Sequence, residues 1–188
     1  MTLQKPNSKS MAAFLKELKK NPGVLYAEPD YKVTLDGLSN DPLLNKQWHH
    51  NAIQSGQAWD TTKGSQQTIV AVIDNGIDLK HPDLSTNIIK PFDIMANTNK
   101  KMPVGEHGTH VAGLIAAVGN NKIGGAGVSP DVRIMPVNVF VNDDAYISDI
   151  IKGIQYAVKS GADVINMSLR MSQKHLMMLF RLLIKKTF

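Results

Sequence analysis

The sequence contains no cysteine. This excludes a disulfide framework, a thiolate metal site and a cysteine nucleophile. No apolar run reaches the roughly 18 residues that a bilayer-spanning helix needs, so no membrane span is expected. Residues 1–10 are polar and carry no apolar core of a secretion signal. That leaves either a cytosolic protein or a chain whose true N-terminus lies upstream. Aromatic residues make up only 6% of the chain, and in the basic C-terminal stretch Phe180 and Phe188 are alone. A stacking surface for nucleic acid is therefore not expected.

Acidic residues are missing from one place in particular. Residues 170–188 hold Arg170, Lys174, Arg181, Lys185 and Lys186 and no Asp or Glu. Without them, residues 1–169 carry 16 basic and 16 acidic residues, so the net charge of +5 belongs to the tail. The tail also lacks Gly, Pro and Asn and holds three of the nine Met. What remains is ordinary for a folded domain: 188 residues, 43% apolar and 20% charged. A chain of this size buries roughly 70% of its unfolded surface and folds without staples.

Apolar spacing predicts a helix from Ser10, as N-cap, to Lys20, with Met11, Phe14, Leu15 and Leu18 on one face. Asn21-Pro22-Gly23 ends it. Val24, Tyr26 and Tyr31-Lys32-Val33 read as short extended pieces, and residues 36–40 as a linker. The β-branched run from Thr68 to Ile73 predicts a strand covered on both faces. A helix is expected over 107–118, with Val111, Leu114, Ile115 and Val118 inward. A strand is expected over 132–139, with Pro136 as its flaw. Residues 147–159 should form a helix burying Ile147, Ile150, Ile151, Ile154 and Val158, with Gly161 at C′. A third strand is expected over 163–168. Strands alternating with helices imply an α/β fold with a parallel sheet and helices on both faces.

Two places could carry chemistry. Asp74 follows the buried strand, where parallel sheets put their ligands. A carboxylate there needs a partner, commonly a His N–H, although Asp74-Asn75-Gly76 is also a good turn. His107 opens a helix in Gly105-Glu106-His107-Gly108-Thr109-His110. It could cap that helix, or pair with His110 as a metal ligand three residues away on one face.

Three segments resemble the subtilisin-like serine proteases. Val70-Ala71-Val72-Ile73-Asp74-Asn75-Gly76-Ile77-Asp78 with His81-Pro82-Asp83-Leu84 is similar to the family's aspartate motif. His107-Gly108-Thr109-His110-Val111-Ala112-Gly113 is similar to its histidine motif. Asp163 to Leu169 is similar to its substrate-binding strand. The Asp-then-His order is also the family's. The resemblance runs from about 41 to 169. Residues 11–33, with Val24-Leu25-Tyr26-Ala27-Glu28-Pro29-Asp30, resemble the end of an I9-type inhibitory propeptide.

The resemblance implies a propeptide remnant over 1–35, a linker over 36–40 and the N-terminal part of a catalytic domain over 41–169. It implies peptide-bond hydrolysis by an Asp-His-Ser triad, with polypeptide substrates, a propeptide acting in cis and a secreted or extracellular location. By similarity, His107 would take a proton from a serine hydroxyl and give it to the leaving amine, while Asp74 holds its tautomer. His110 would be structural. Ser168 and Leu169 would pair with extended substrate. Structural calcium is implied as well, held by side-chain oxygens of Asp41, Asp83 and Asn121 and by the carbonyls of Val118, Ile123 and Gly125.

The sequence also departs from the family. No Gly-Thr-Ser-Met-Ala-type nucleophile motif occurs in the 188 residues, nor does the asparagine that donates to the oxyanion. Arg170 stands where glycines are expected after Ser168-Leu169. In subtilisin, losing the nucleophile alone costs about 10⁶ in turnover, so the chain by itself is expected to be an inactive protease. An alternative function is a non-catalytic module that binds calcium, a protease or a peptide. For the tail, the genetic code permits an out-of-frame reading from Arg170 onward of Asp-Val-Thr-Lys-Ala-Phe-Asn-Asp-Ala-Val. That is an amphipathic helix of the kind the family has next. The expectation is a frameshift near Arg170, with residues 170–188 an aberrant basic tail.

Overall fold

The computed structural model describes residues 3–29, 39–142 and 144–170, together with Met177. The chain divides into two compact units, Met1–Asp36 and Gly37–Phe188. The first holds helix α1, Met11–Leu18, which buries none of its residues. Ser10 caps it, its hydroxyl accepting the Ala13 N–H at 3.2 Å. Val24 and Tyr26 lie outside regular structure. The extended piece expected at Tyr31–Val33, most of the 36–40 linker and nearly all of the 170–188 tail lie outside the described residues.

The second unit is built on a four-stranded sheet of order β2-β3-β1-β4, with every pairing parallel. Its strands are β1 (Ile69–Asp74), β2 (Phe92–Asp93), β3 (Arg133–Asn138) and β4 (Val164–Asn166). Two long helices connect them, α4 (Glu106–Ala116) and α5 (Ile147–Lys159), after the short α2 (Trp48–Ala52) and α3 (Ser55–Thr61). This is the α/β architecture that the strand–helix alternation predicts.

Period-two alternation divides the core. Ala71 and Ile73 of β1 join Met135 and Val137 of β3 and pack on Ile150, Ile151, Ile154 and Ala157 of α5. Val70 and Val72 join Ile134 on the opposite face and pack on Ala112 and Ala116 of α4. Strand β1 is thus covered on both faces, as its continuous apolar run predicts. Gly153 lets α5 settle onto the sheet, since a Cβ there would lie 2.7 Å from Val139 Cγ1.

Pro136 sits in an inner strand without breaking it. The Ile134 N–H and C=O both bond outward, to Asn87 and Ile89. Two residues on, the Pro136 nitrogen faces the same way. Pairing with β2 starts only at Val137, so the missing donor falls in a gap of the ladder.

Several helix-face expectations need correction. In α4 the buried line is Gly108, Ala112 and Ala116, with Val111 and Ile115 flanking it. Leu114 is 39% exposed, and Val118 lies beyond the helix end. Small residues take the inward line because α4 runs close to the sheet. In α5, Ala157 takes the inward position expected of Val158, which is 60% exposed. Strand β4 is three residues long, not six, and Val164 at its start is half exposed. Gly161 has the predicted left-handed conformation after α5, with φ +84°.

Segment 44–61 braces the loop after α4. Trp59 Nε1 donates to Val128 O at 2.9 Å, and the Gln47 carboxamide takes both main-chain groups of Ala126, each at 2.9 Å. His50 Nε2 donates to the same Ala126 O at 3.0 Å, so Nδ1 accepts from the Ser55 hydroxyl at 2.8 Å. Burial, followed by the neighbouring His49, holds the His50 pKa below the ordinary histidine value, although the Ala126 carbonyl opposes this. The folded chain therefore binds fewer protons here than the unfolded chain. This contribution is present above about pH 6.5 and is lost as pH falls through the folded value. A His50→Gln variant should lose less thermal stability between neutral and weakly acid pH than the unsubstituted chain. Parallel curves of thermal midpoint against pH would contradict this.

Candidate active site

Asp74 is the last residue of β1 and is buried, at 2% exposure. His107 is the second residue of α4. Its Nδ1 lies 2.9 Å from Asp74 Oδ1 and 3.0 Å from Oδ2. Facing a carboxylate on that side, Nδ1 carries the proton and donates. Nε2 is then left as a free acceptor on a ring whose side chain is 56% exposed. A buried carboxylate that orients a solvent-facing imidazole is a geometry suited to proton transfer at Nε2.

The two residues meet because the backbones around them touch. Gly76 has φ +103°, and a Cβ there would lie 2.2 Å from Pro103 O. A Cβ on Gly108 would lie 2.2 Å from Gly76 O and 3.1 Å from Asp74 Cβ. Thr109 adds a clip: its hydroxyl accepts the Asp78 N–H at 2.9 Å and donates to Gly105 O at 2.6 Å.

The metal reading of His107 and His110 gains no third ligand. Among the described residues no three His, Asp or Glu side chains converge on a metal position. His110 is exposed and lines a cavity of about 460 Å³ with Leu84, Val104, Gly113 and Leu114. The cavity runs along α4, and neither Asp74 nor His107 lines it.

Ser168 and Leu169 leave the sheet at the Asp74 end. The β1–β4 ladder closes at Val72–Asn166, so residues 167–169 continue beside the end of β1. Ser168 is exposed, its hydroxyl donating to Asn166 Oδ1 at 3.1 Å, while Leu169 packs against the α5-side core.

Of the implied calcium ligands, Asp41 and Asp83 both reach the 118–125 loop. Asp41 and Asp83 are 5% and 4% exposed. Asp41 accepts the N–H groups of Asn120, Asn121 and Lys122 at 2.9–3.0 Å and the Ser39 hydroxyl. Asp83 accepts from Asn121 Nδ2 at 2.6 Å and from the Gly125 N–H at 3.3 Å. The Val118 N–H donates to Asp83 O, and the Ile123 N–H to Asn121 Oδ1. Among the described residues neither carboxylate has a Lys or Arg ion-pair partner. Burial pushes the Asp83 pKa up and the like charge of Asp41 adds to this, against the opposing hydrogen bonds of Asn121 and Gly125 and the opposing charge of His81. Two buried carboxylates reaching one loop, with no Lys or Arg paired to either among the described residues, are oxygen donors of the kind a hard cation takes. Reversing the Asn121 carboxamide would turn an oxygen toward the Asp83 position.

Residues 65–176, more than half of the chain, match the Subtilase family. The chain belongs to the subtilase family. It is 43% identical over 162 residues to the thermophilic serine proteinase of Bacillus sp. strain AK1, covering 85% of this chain and 40% of that protein. It is 39% identical over 132 residues to thermitase of Thermoactinomyces vulgaris, covering 69% of this chain and 47% of that protein. The fold is similar to a solved structure of proteases from Pseudoalteromonas arctica. The TM-score is 0.62 at 34% identity, over 73% of this chain and 53% of that one. This subtilase chain thus spans less than half the length of the two curated relatives.

Sequence reasoning found Asp74 and His107 but missed Gly105, Gly76 and Thr109 as the residues that bring them together. The signal was present, since three glycines flank two candidate groups. A Gly108→Ala substitution tests the contact. On an open helix it would stabilise by about 1 kcal/mol; against the Gly76 carbonyl the overpacking should cost about 1–3 kcal/mol. The expected result is a lower urea midpoint, and a raised one would show that α4 does not need this approach.

Proposed function

We propose that Asp74 and His107 are the acid–base part of a serine endopeptidase site that cleaves polypeptides. The observation that carries this is the buried Asp74 carboxylate on Nδ1 of a ring with exposed Nε2. In the proposed reaction, His107 Nε2 takes the proton of a serine hydroxyl as that oxygen attacks the scissile carbonyl. It then gives the proton to the leaving amine. Asp74 keeps the ring in the Nδ1–H tautomer and stabilises the imidazolium that forms. Ser168 and Leu169, at the open edge of the sheet, would pair with the extended substrate backbone. Residues 1–35 would be the end of an inhibitory propeptide acting in cis, and the site of action would be outside the cell.

The nucleophile is the part the 188 residues do not supply, so the chain by itself should not turn over peptide substrates. Fusing residues 41–169 in place of the matching segment of the AK1 proteinase tests the assignment. The chimera should hydrolyse a peptide substrate, and Asp74→Asn should lower its kcat by roughly 10⁴, the size of the aspartate effect in subtilisin. A folded but inactive chimera, or one indifferent to Asp74, would overturn the reading.

Calcium belongs to the same proposal. Asp41, Asp83 and Asn121 would hold it by side-chain oxygens, and Val118, Ile123 and Gly125 by carbonyls. Bound there, it would neutralise two buried carboxylates and fix the loop that Gln47 and His50 brace. A ligand that binds only the folded state raises its stability. Added calcium should therefore raise the thermal midpoint of the chain, and Asp83→Ala should abolish most of that rise. An unchanged calcium response in the variant would place the ion elsewhere.

A further inference from the structure

Asn75 touches the supports of both members of the pair. Its main-chain N–H donates to Asp74 Oδ1 at 2.8 Å. Its carboxamide oxygen accepts the Gly108 N–H at 3.0 Å. Helix α4 has no capping side chain of its own, because its N-cap is Gly105. Its first-turn amides have no intrahelical acceptor, and the helix's own bonding begins with the Thr109 N–H on Gly105 O, at 3.0 Å. Asn75 therefore caps α4 from another element, at the residue next to His107.

The surroundings hold this cap in one place. A Cβ on Gly105 would lie 2.1 Å from Asn75 Oδ1, and one on Gly108 would lie 3.3 Å from it. Two glycines thus leave room for the carboxamide between the strand end and the helix. A rotation or lift of α4's first turn would break the Asn75–Gly108 bond and swing the His107 ring away from the carboxylate together. Because the same residue also holds Asp74 Oδ1, both partners of the 2.9 Å contact are referenced to one residue.

We propose that Asn75 is a positioning residue that fixes the His107 tautomer by clamping the α4 N-terminus to the Asp74 turn. This rests on the reading of Asp74–His107 as the acid–base pair. An isolated neutral imidazole has no such carboxylate to select its tautomer, and selection is set by the hydrogen bond at the other nitrogen. Loss of the clamp should therefore appear in the ring itself, while a purely structural residue would alter stability alone.

The test is NMR of the 188-residue chain at a pH where the His107 ring is neutral. Ring ¹⁵N shifts report the tautomer, and amide exchange reports the cap. In the unsubstituted chain, the Nδ1–H form should predominate, and the Gly108 amide should exchange more slowly than those of Glu106 and His107. Asn75→Leu, similar in volume but without an acceptor, should lose the predominance of Nδ1–H with the rest of the amide spectrum retained. Asn75→Asp, which keeps the acceptor, should preserve it. If the unsubstituted chain lacks the Nδ1–H form, the acid–base reading fails and this proposal fails with it. If that form is present but unchanged in a folded Asn75→Leu chain, only the positioning role is overturned. Should Asn75→Leu not fold, Gly108 exchange in the unsubstituted chain decides: slow exchange supports the clamp, and exchange as fast as its neighbours overturns it.

Discussion

The contact on which the rest of the site depends is the approach of α4 to the end of β1, carbonyl against glycine. Gly108 lies where any side chain would strike the Gly76 carbonyl, and Gly76 lies where any side chain would strike Pro103. Steric exclusion fixes how near the helix can come, and the small residues Ala112 and Ala116 continue the same close line behind it. At that distance the His107 ring reaches a carboxylate buried at the strand end. Were the helix held off by one methyl group, a hydrogen bond of 2.9 Å would be the first thing lost.

The buried carboxylates of this unit show two solutions to one problem. An ionised carboxyl group taken out of water must be paired or hydrogen-bonded. Asp74 is met by an imidazole N–H and by the N–H of Asn75, which leaves the histidine's other nitrogen available for chemistry. Asp41 and Asp83 are met mainly by loop N–H groups and an amide. Neither has a Lys or Arg ion-pair partner among the described residues, and burial raises the Asp83 pKa. The first arrangement leaves one imidazole nitrogen facing solvent; the second gathers two carboxylates at one loop with no Lys or Arg paired to them among the described residues.

The sheet also explains why the second unit is asymmetric. Its inner strands β1 and β3 are covered on both faces, while β4 is short and, among the described residues, pairs on one side only. The strand that leads into Ser168 and Leu169 is therefore an edge of the sheet among the described residues. Asp74 lies at the end of the sheet toward which β4 runs.

Much of this was legible in the residue order. The β-branched run of β1, the 3.6-residue spacing of α5 and Gly161 after it reflect local preferences and periodicity, which act within a few residues. Asp74 and His107 were legible as chemical types set at a strand end and a helix start. Three-dimensional packing decided the rest, because it depends on groups far apart in sequence. It turned Leu114 outward and Ala157 inward, put Pro136 opposite a gap in the ladder and made β4 half its expected length. It also gave Asn75 a second role. In the sequence Asn75 is a turn residue; only when residue 108 is brought beside it does its carboxamide become the cap of another helix. A side chain's type is written in the sequence, but what it touches 33 residues away is set by the distance of closest approach between two backbones.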